Sequence, residues 1–168
     1  MSLHYLLDGY NILKQIPAFR DLPLEDGRKG LLRWIDNTRP QGSVNNQVTV
    51  VFDGQPGQYF SYPVAHVSVS EDSPEIRVIF SDGCSADDQI KHMVDLDINK
   101  KNCVVVSNDK DVFLYARSLG ARVMSVAAFT SKSKEVYTKN DSGGKYISLS
   151  RQEAINKELS QRWLKEKP

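Results

Sequence analysis

Residues 103–120 read CVVVSNDKDVFLYARSLG. Val104, Val105 and Val106 are β-branched and do not alternate with polar residues, which suits a strand covered on both faces, as in a parallel sheet. Ser107, Asn108 and Asp109 then break the apolar run. Asp109 is a good helix cap. Residues 112–119 have helical spacing, and Gly120 closes that helix. In an open α/β sheet, a strand followed by an acid and a helix puts the acid beyond the carboxyl end of the strand, where ligands bind.

The same pattern recurs on both sides of this stretch. Residues 3–7 are an apolar run stopping at Asp8-Gly9, and residues 48–52 are another stopping at Asp53-Gly54. Residues 76–80 form a third, ending near Asp82-Gly83, and Ser85 then caps a helix with Asp87 and Asp88 in its first turn. That helix is expected to run to about residue 98, burying Ile90, Met93, Val94 and Ile98. Residues 24–35 read as an amphipathic helix with Leu24, Leu31, Leu32 and Ile35 inside and Arg28, Lys29 and Arg33 outside, ended by Pro40 and Gly42. Residues 64–69 alternate, as an extra strand or an edge hairpin would. Residues 122–126 complete the strands. Residues 130–145 are polar and read as a loop, and residues 151–167 carry the spacing of a C-terminal helix. Strands alternating with helices predict an α/β fold with a central, mostly parallel five-stranded sheet between two helical layers.

The chain has 168 residues, 40% hydrophobic and 26% charged, which is the composition of one globular domain. The division expected is a domain over 1–129, with the loop and C-terminal helix of 130–168 packed on it. A net charge of +1 names no partner. Cys84 and Cys103 show no metal-ligand spacing and read as reduced, largely buried thiols. His4, His66 and His92 show no ligand spacing either and read as surface or packing residues. No signal-peptide pattern opens the sequence and no apolar run is long enough to span a bilayer, so a cytoplasmic protein with no membrane partner is expected.

Asp8, Asp53, Asp87/Asp88 and Asp109/Asp111 should therefore meet at one edge of the sheet. Singly, each has a plain structural reading, as a turn, a helix cap or a charge on a helix dipole. Together they form a repulsive carboxylate cluster, which a cation would neutralise. Carboxylates are hard ligands and suit Mg²⁺ or Mn²⁺, ions that also bind phosphate and assist in-line phosphoryl displacement. Asn11, Ser107 and Asn108 are placed to support the acids or touch phosphate.

LLDGYNIL (6–13), VVFDG (50–54), SADDQI (85–90) and VVVSNDKDVFLYA (104–116), in that order, resemble the PIN-like nuclease superfamily. Asp8-Gly9-Tyr10-Asn11 points within it to the NYN branch and its YacP-like group, over the chain through Val126. The resemblance implies a three-layer α/β/α, Rossmann-like domain and a metal-dependent endoribonuclease. Some YacP-like members resemble ribosome-associated mRNA endonucleases, which makes the ribosome a candidate partner. Carried over, Asp8, Asp88 and Asp109 are the expected catalytic residues. Asp8, Asp53, Asp87, Asp88, Asp109 and Asp111 are the expected metal set, and which of Asp87 and Asp88 ligates directly stays open. Ser85 stands where the related 5′-nucleases often have a glutamate, which suggests a sparser second metal site.

RNA needs cations near such acids. Lys14, Arg20, Arg28, Lys29 and Arg33 are candidates, as are Lys132 and Lys134 in the predicted late loop. Tyr10, Phe19, Tyr59 and Tyr62 are candidates for base stacking. The competing reading is a non-catalytic RNA- or ribosome-binding adaptor that keeps the fold. A haloacid-type phosphatase is disfavoured, because Tyr10 stands where that class needs its second aspartate.

Overall fold

The unbroken apolar runs form parallel strands. In this computed structural model, which describes residues 2–56, 64–67 and 76–139, the elements follow in the order β1 (His4–Asp8), α1 (Gly9–Gln15), α2 (Pro17–Arg20), α3 (Leu24–Thr38), β2 (Gln47–Phe52), β3 (Val64–Val67), β4 (Ile76–Phe80), α4 (Ala86–Leu96), β5 (Cys103–Val106), α5 (Lys110–Ser118), β6 (Arg122–Met124) and α6 (Val126–Lys139). The six-stranded sheet has the order β3-β4-β2-β1-β5-β6. Every pairing is parallel except that of β3, which lies antiparallel on β4 as an edge strand. The expected five-stranded parallel sheet is present, and the alternating stretch adds the sixth strand at its edge.

Helices cover both faces of the sheet. On one, Ile12 and Leu13 of α1, Leu31, Leu32 and Ile35 of α3, and Val126 and Phe129 of α6 pack on Leu7, Val50, Val78 and Val106. On the other, Ile90 and Val94 of α4 and Val112 and Ala116 of α5 pack on Leu6, Val51 and Val105. Consecutive strand residues thus feed opposite cores, as the pleat requires, and this is why the sequence runs show no alternation. Among the described residues no helix is long and apolar enough to cross a membrane.

Parallel register aligns the carboxyl ends. Leu7 stands beside Val50 on one side and Val106 on the other. From β1 the chain moves outward to β2, whereas from β4 it crosses back to β5 on the far side of β1. The crevice between the ends of β1 and β5 is therefore a topological switch point, the place where α/β sheets bind ligands. Gly9 is required just there, since a Cβ on it would lie 2.4 Å from Cε1 of Phe52.

Several expectations are corrected. Arg28 is inside α3's packing face, 4% exposed, and Leu24 is 56% exposed. The buried stripe of α3 is Arg28, Leu31, Leu32 and Ile35, and the guanidinium fits it because it lies 4.9 Å from the ring centre of Phe80 and 5.5 Å from those of Tyr10 and Phe52. Ile98 is fully exposed because α4 stops at Leu96. Cys84 is exposed in the turn after β4, while Cys103 is buried, and both thiols are free. Part of the predicted loop of residues 130–145 is helix, since α6 runs to Lys139. Its start is held by Asn108 Oδ1, which accepts from Val126 N at 2.9 Å, and by Ser125 Oγ, which accepts from Ala128 N at 3.2 Å. The C-terminal helix expected over 151–167 lies outside the described residues.

Candidate functional site

β1 ends in Asp8, whose backbone leaves the strand and caps α1. Its Oδ1 accepts from Asn11 N at 3.0 Å. The carboxylate is 7% exposed, so its second oxygen also needs a partner. That partner is Ser107, the first residue after β5, whose Oγ donates to Asp8 Oδ2 at 3.2 Å. The same hydroxyl accepts from Asn11 Nδ2 at 3.2 Å and from Asp109 N at 3.0 Å. One buried serine thus ties together the ends of two neighbouring strands.

Asp109 caps α5, with Oδ1 accepting from Asp111 N at 2.8 Å and Val112 N at 3.1 Å. Asp53, beyond β2, reaches across to α4, where its Oδ1 accepts from Ala86 N at 2.6 Å. Asp87, in the first turn of α4, is half-buried and accepts no hydrogen bond from the described residues. Burial pushes its carboxyl above the usual range, and the negative charges of Asp8, Asp109 and Asp53 push it further, against a smaller pull from Lys91. Burial also raises Asp8, opposed by its hydrogen bonds from Asn11 and Ser107 and reinforced by the charge of Asp53. Carboxylates from four separate segments therefore sense one another at the switch point.

The paired acids divide. Asp88 is exposed and bonded within its own turn, its Oδ2 accepting from Ser85 Oγ at 2.8 Å and its N donating back to Ser85 Oγ at 3.0 Å. Neighbouring helix positions are about 100° apart, so with Asp87 turned to the other acids Asp88 faces solvent. The Asp111 side chain is 83% exposed and pairs with Lys91. Asp8, Asp53, Asp87 and Asp109 are brought together, whereas Asp88 and Asp111 stand on the rim.

Asn11 and Ser107 support Asp8, and Asn108 holds the start of α6. Lys132 is drawn away from the acids, its Nζ lying 5.9 Å from the ring centre of Tyr5, three residues back along β1 or roughly 10 Å down the strand. The side chain of Lys134 lies outside what is described, as do Tyr59 and Tyr62. Tyr10 is committed to the fold: its hydroxyl accepts from Arg28 Nε at 3.0 Å and its ring centre lies 5.3 Å from that of Phe52. Phe19 packs against the core. Lys14, Arg20 and Arg33 are exposed, and Lys29 lies 4.0 Å from Glu25. His4 sits at the far end of β1, its Nε2 2.8 Å from Thr49 Oγ1, and His66 and His92 are exposed.

The donor set suits a hard cation in chemistry. Both oxygens of Asp87, and Oδ2 of Asp53 and of Asp109, have no hydrogen-bond partner among the described residues. In spacing it is open, because no group of three or more His, Cys, Asp or Glu residues among those described is close enough to enclose an ion. That combination fits an ion that keeps several of its waters and is touched directly by only one or two carboxylates, as Mg²⁺ is. Sequence reasoning missed Arg28 on the buried face and the apolar side chains Phe113 and Leu114 beside Asp109. Spacing alone put Arg28 on the stripe with Leu31, Leu32 and Ile35, but its charge masked the signal.

A family model described as the YacP-like NYN domain matches residues 5–167, so the likeness extends through the tail where no motif was legible. Two solved structures are similar. Rae1 (YacP) from Bacillus subtilis matches with a TM-score of 0.64 and 21% identity, over 98% of this chain and 91% of that one. Its W164L mutant matches with a TM-score of 0.60 and 22% identity, over 83% and 79%. Comparison with curated proteins gives no match. A PIN-like α/β/α sheet, acids gathered at its switch point and a family match along nearly the whole sequence lead to one conclusion: the chain belongs to the YacP-like NYN domain family, whose fold is of nuclease type.

Proposed function

We propose that this protein is a divalent-metal-dependent endoribonuclease that hydrolyses RNA phosphodiester bonds, with ribosome-associated mRNA as its target. The observation that carries the reading is the placement of Asp8, Asp53, Asp87 and Asp109, from four separate segments, around the sheet's switch point. Helix capping accounts for Asp8 and Asp109 singly, but gathering four like charges costs free energy that a bound cation would offset. RNA as the substrate class rests on family membership.

In this reading Asp87 would hold Mg²⁺ or Mn²⁺ directly, and Asp8, Asp53 and Asp109 would act on it mainly through its bound waters. When bound, the ion supplies positive charge to the scissile phosphate and acidifies a water. The protein's own part is orientation. Ser107 and Asn11 fix the rotamer of Asp8, and Ser107 sets the height of Asp109 through its backbone N–H. Of the two acids opening α4 we assign the direct role to Asp87, because Asp88 is bonded to Ser85.

The test is incubation of labelled single-stranded RNA with Mg²⁺ or Mn²⁺ and wild type, Asp8→Asn, Asp87→Asn or Asp111→Asn. Asp8→Asn and Asp87→Asn should lose at least about 100-fold in rate, the scale on which transition-state electrostatics acts. Asp111→Asn should stay close to wild type. Equal cleavage by all four proteins would reject the site. RNA binding without cleavage by wild type would favour the adaptor reading, and co-sedimentation with ribosomes tests the proposed target.

A further inference from the structure

Beside the acids, α5 carries a face that neither core uses. Phe113 is half-buried, yet it belongs to neither hydrophobic cluster. Leu114 follows it, 66% exposed. Lys110 precedes them by three and four positions and so shares their side of the helix. These residues, with Ser107, Asn108 and Ser125, line a cavity of about 350 Å³. Its volume is at the low end of the ~300–1,000 Å³ typical of small-molecule sites, large enough for one nucleoside and too small for a folded partner.

The accessible walls are almost wholly apolar, and the polar groups stand at the rim. Phe113 and Leu114 supply the apolar wall. Asn108 spends its Oδ1 on Val126 N, which leaves its Nδ2 hydrogens as donors without a partner among the described residues. Lys110 is exposed and likewise has no partner among them. Ser107 is shared with the acidic site, since its hydroxyl bonds Asp8 and Asp109. An apolar slot walled by an aromatic ring, with an amide donor and a cation at its rim and an acidic site beside it, matches a base with its phosphate.

We propose that this cavity is a nucleobase subsite, which takes the base of the nucleotide adjoining the scissile phosphodiester. The base stacks on Phe113 against Leu114, its edge meets Asn108 and Ser125, and Lys110 faces the neighbouring phosphate. The inference rests on the RNA-cleaving reading for its place in the reaction, but base binding is measurable without cleavage. Phe113 lies outside both cores, so the subsite is separable from the acids, and a melting curve of each Phe113 variant separates loss of the subsite from loss of the fold.

The experiment is a ¹H–¹⁵N titration of the full chain in EDTA with adenosine 5′-monophosphate, adenosine and ribose 5-phosphate. Both base-containing ligands should shift the amides of residues 107–114 and 125, and ribose 5-phosphate should bind at least about 10-fold more weakly, the scale of one base–aromatic stack. Phe113→Ala should weaken the nucleotide by a similar factor and Phe113→Tyr should restore it. Lys110→Ala should remove the advantage of the monophosphate over adenosine. Equal binding of ribose 5-phosphate and nucleotide, an unchanged affinity in Phe113→Ala, or no shifts at these residues would overturn the subsite. Nucleotide binding here by a protein that cleaves RNA neither free nor on ribosomes would support the subsite and reject the nuclease reading, so the two failures are distinguishable.

Discussion

At the scale of single residues, Asp87 is the group most exposed to the conflict between function and stability. Its carboxyl is held above the usual range by burial and by three like charges. A group with a raised folded pKa binds protons more tightly folded than unfolded. Its contribution to stability is therefore present below the ordinary value of 3.8 and is lost as pH rises through the raised one. Asp8 acts in the same direction. Asp87→Asn should consequently stabilise the metal-free protein at neutral pH by about 0.5 kcal/mol, the scale of a partly exposed charge interaction, and should flatten the fall in melting temperature between pH 4 and pH 7. Thermal melts across that range check this, and an unchanged or steeper fall would contradict it. That aspartates follow the strand ends was legible in the sequence, because a strand end followed by aspartate is a local pattern. Which of Asp87 and Asp88 turns toward the other acids was not, because it depends on the rotation of α4 about its axis and on the bond of Asp88 to Ser85.

At the scale of elements, the strands were the most readable parts, since apolar runs without alternation have one good home, the middle of a parallel sheet. The helices were read less well where polar composition and position disagree. α6 was hidden because Thr130 and Ser131 look like loop residues, yet two apolar anchors, Val126 and Phe129, and caps from Asn108 and Ser125 suffice to hold it. α3 was read with Arg28 outside, yet Arg28 continues the stripe of Leu31, Leu32 and Ile35. A guanidinium is weakly hydrated and planar, so three aromatic rings and the Tyr10 hydroxyl can replace much of its water. Arg28→Ala should destabilise the protein by about 2–4 kcal/mol, through lost packing and an unsatisfied Tyr10 hydroxyl. Arg28→Lys should recover only part of that, because an ammonium has neither the flat face nor the paired donors. Urea denaturation measures both, and full recovery by lysine would show that charge alone matters.

At the scale of the whole molecule, the position of the site follows from connectivity. The chain leaves β1 in one direction and enters β5 on the other side, so the strand ends beside Asp8 and Ser107 flank a crevice at the switch point. Three of the four converging acids also close the scaffold: Asp8 caps α1, Asp109 caps α5, and Asp53 latches the first residue of α4. Asp109→Asn should therefore abolish cleavage at little cost in stability, whereas Asp109→Ala should abolish it and lose about 1 kcal/mol as well. Paired melting curves and RNA assays separate the two effects, and equal stability of the variants would deny Asp109 its capping role. The double duty constrains how such a protein can change over time. A lineage that abandoned catalysis would still be held to asparagine, serine or threonine at positions 8 and 109, while position 87, which caps nothing, would drift freely. Retired members of such a lineage would be recognisable by small polar residues at the two caps and an unconstrained residue at the third position, a record of lost chemistry written in what the helices still require.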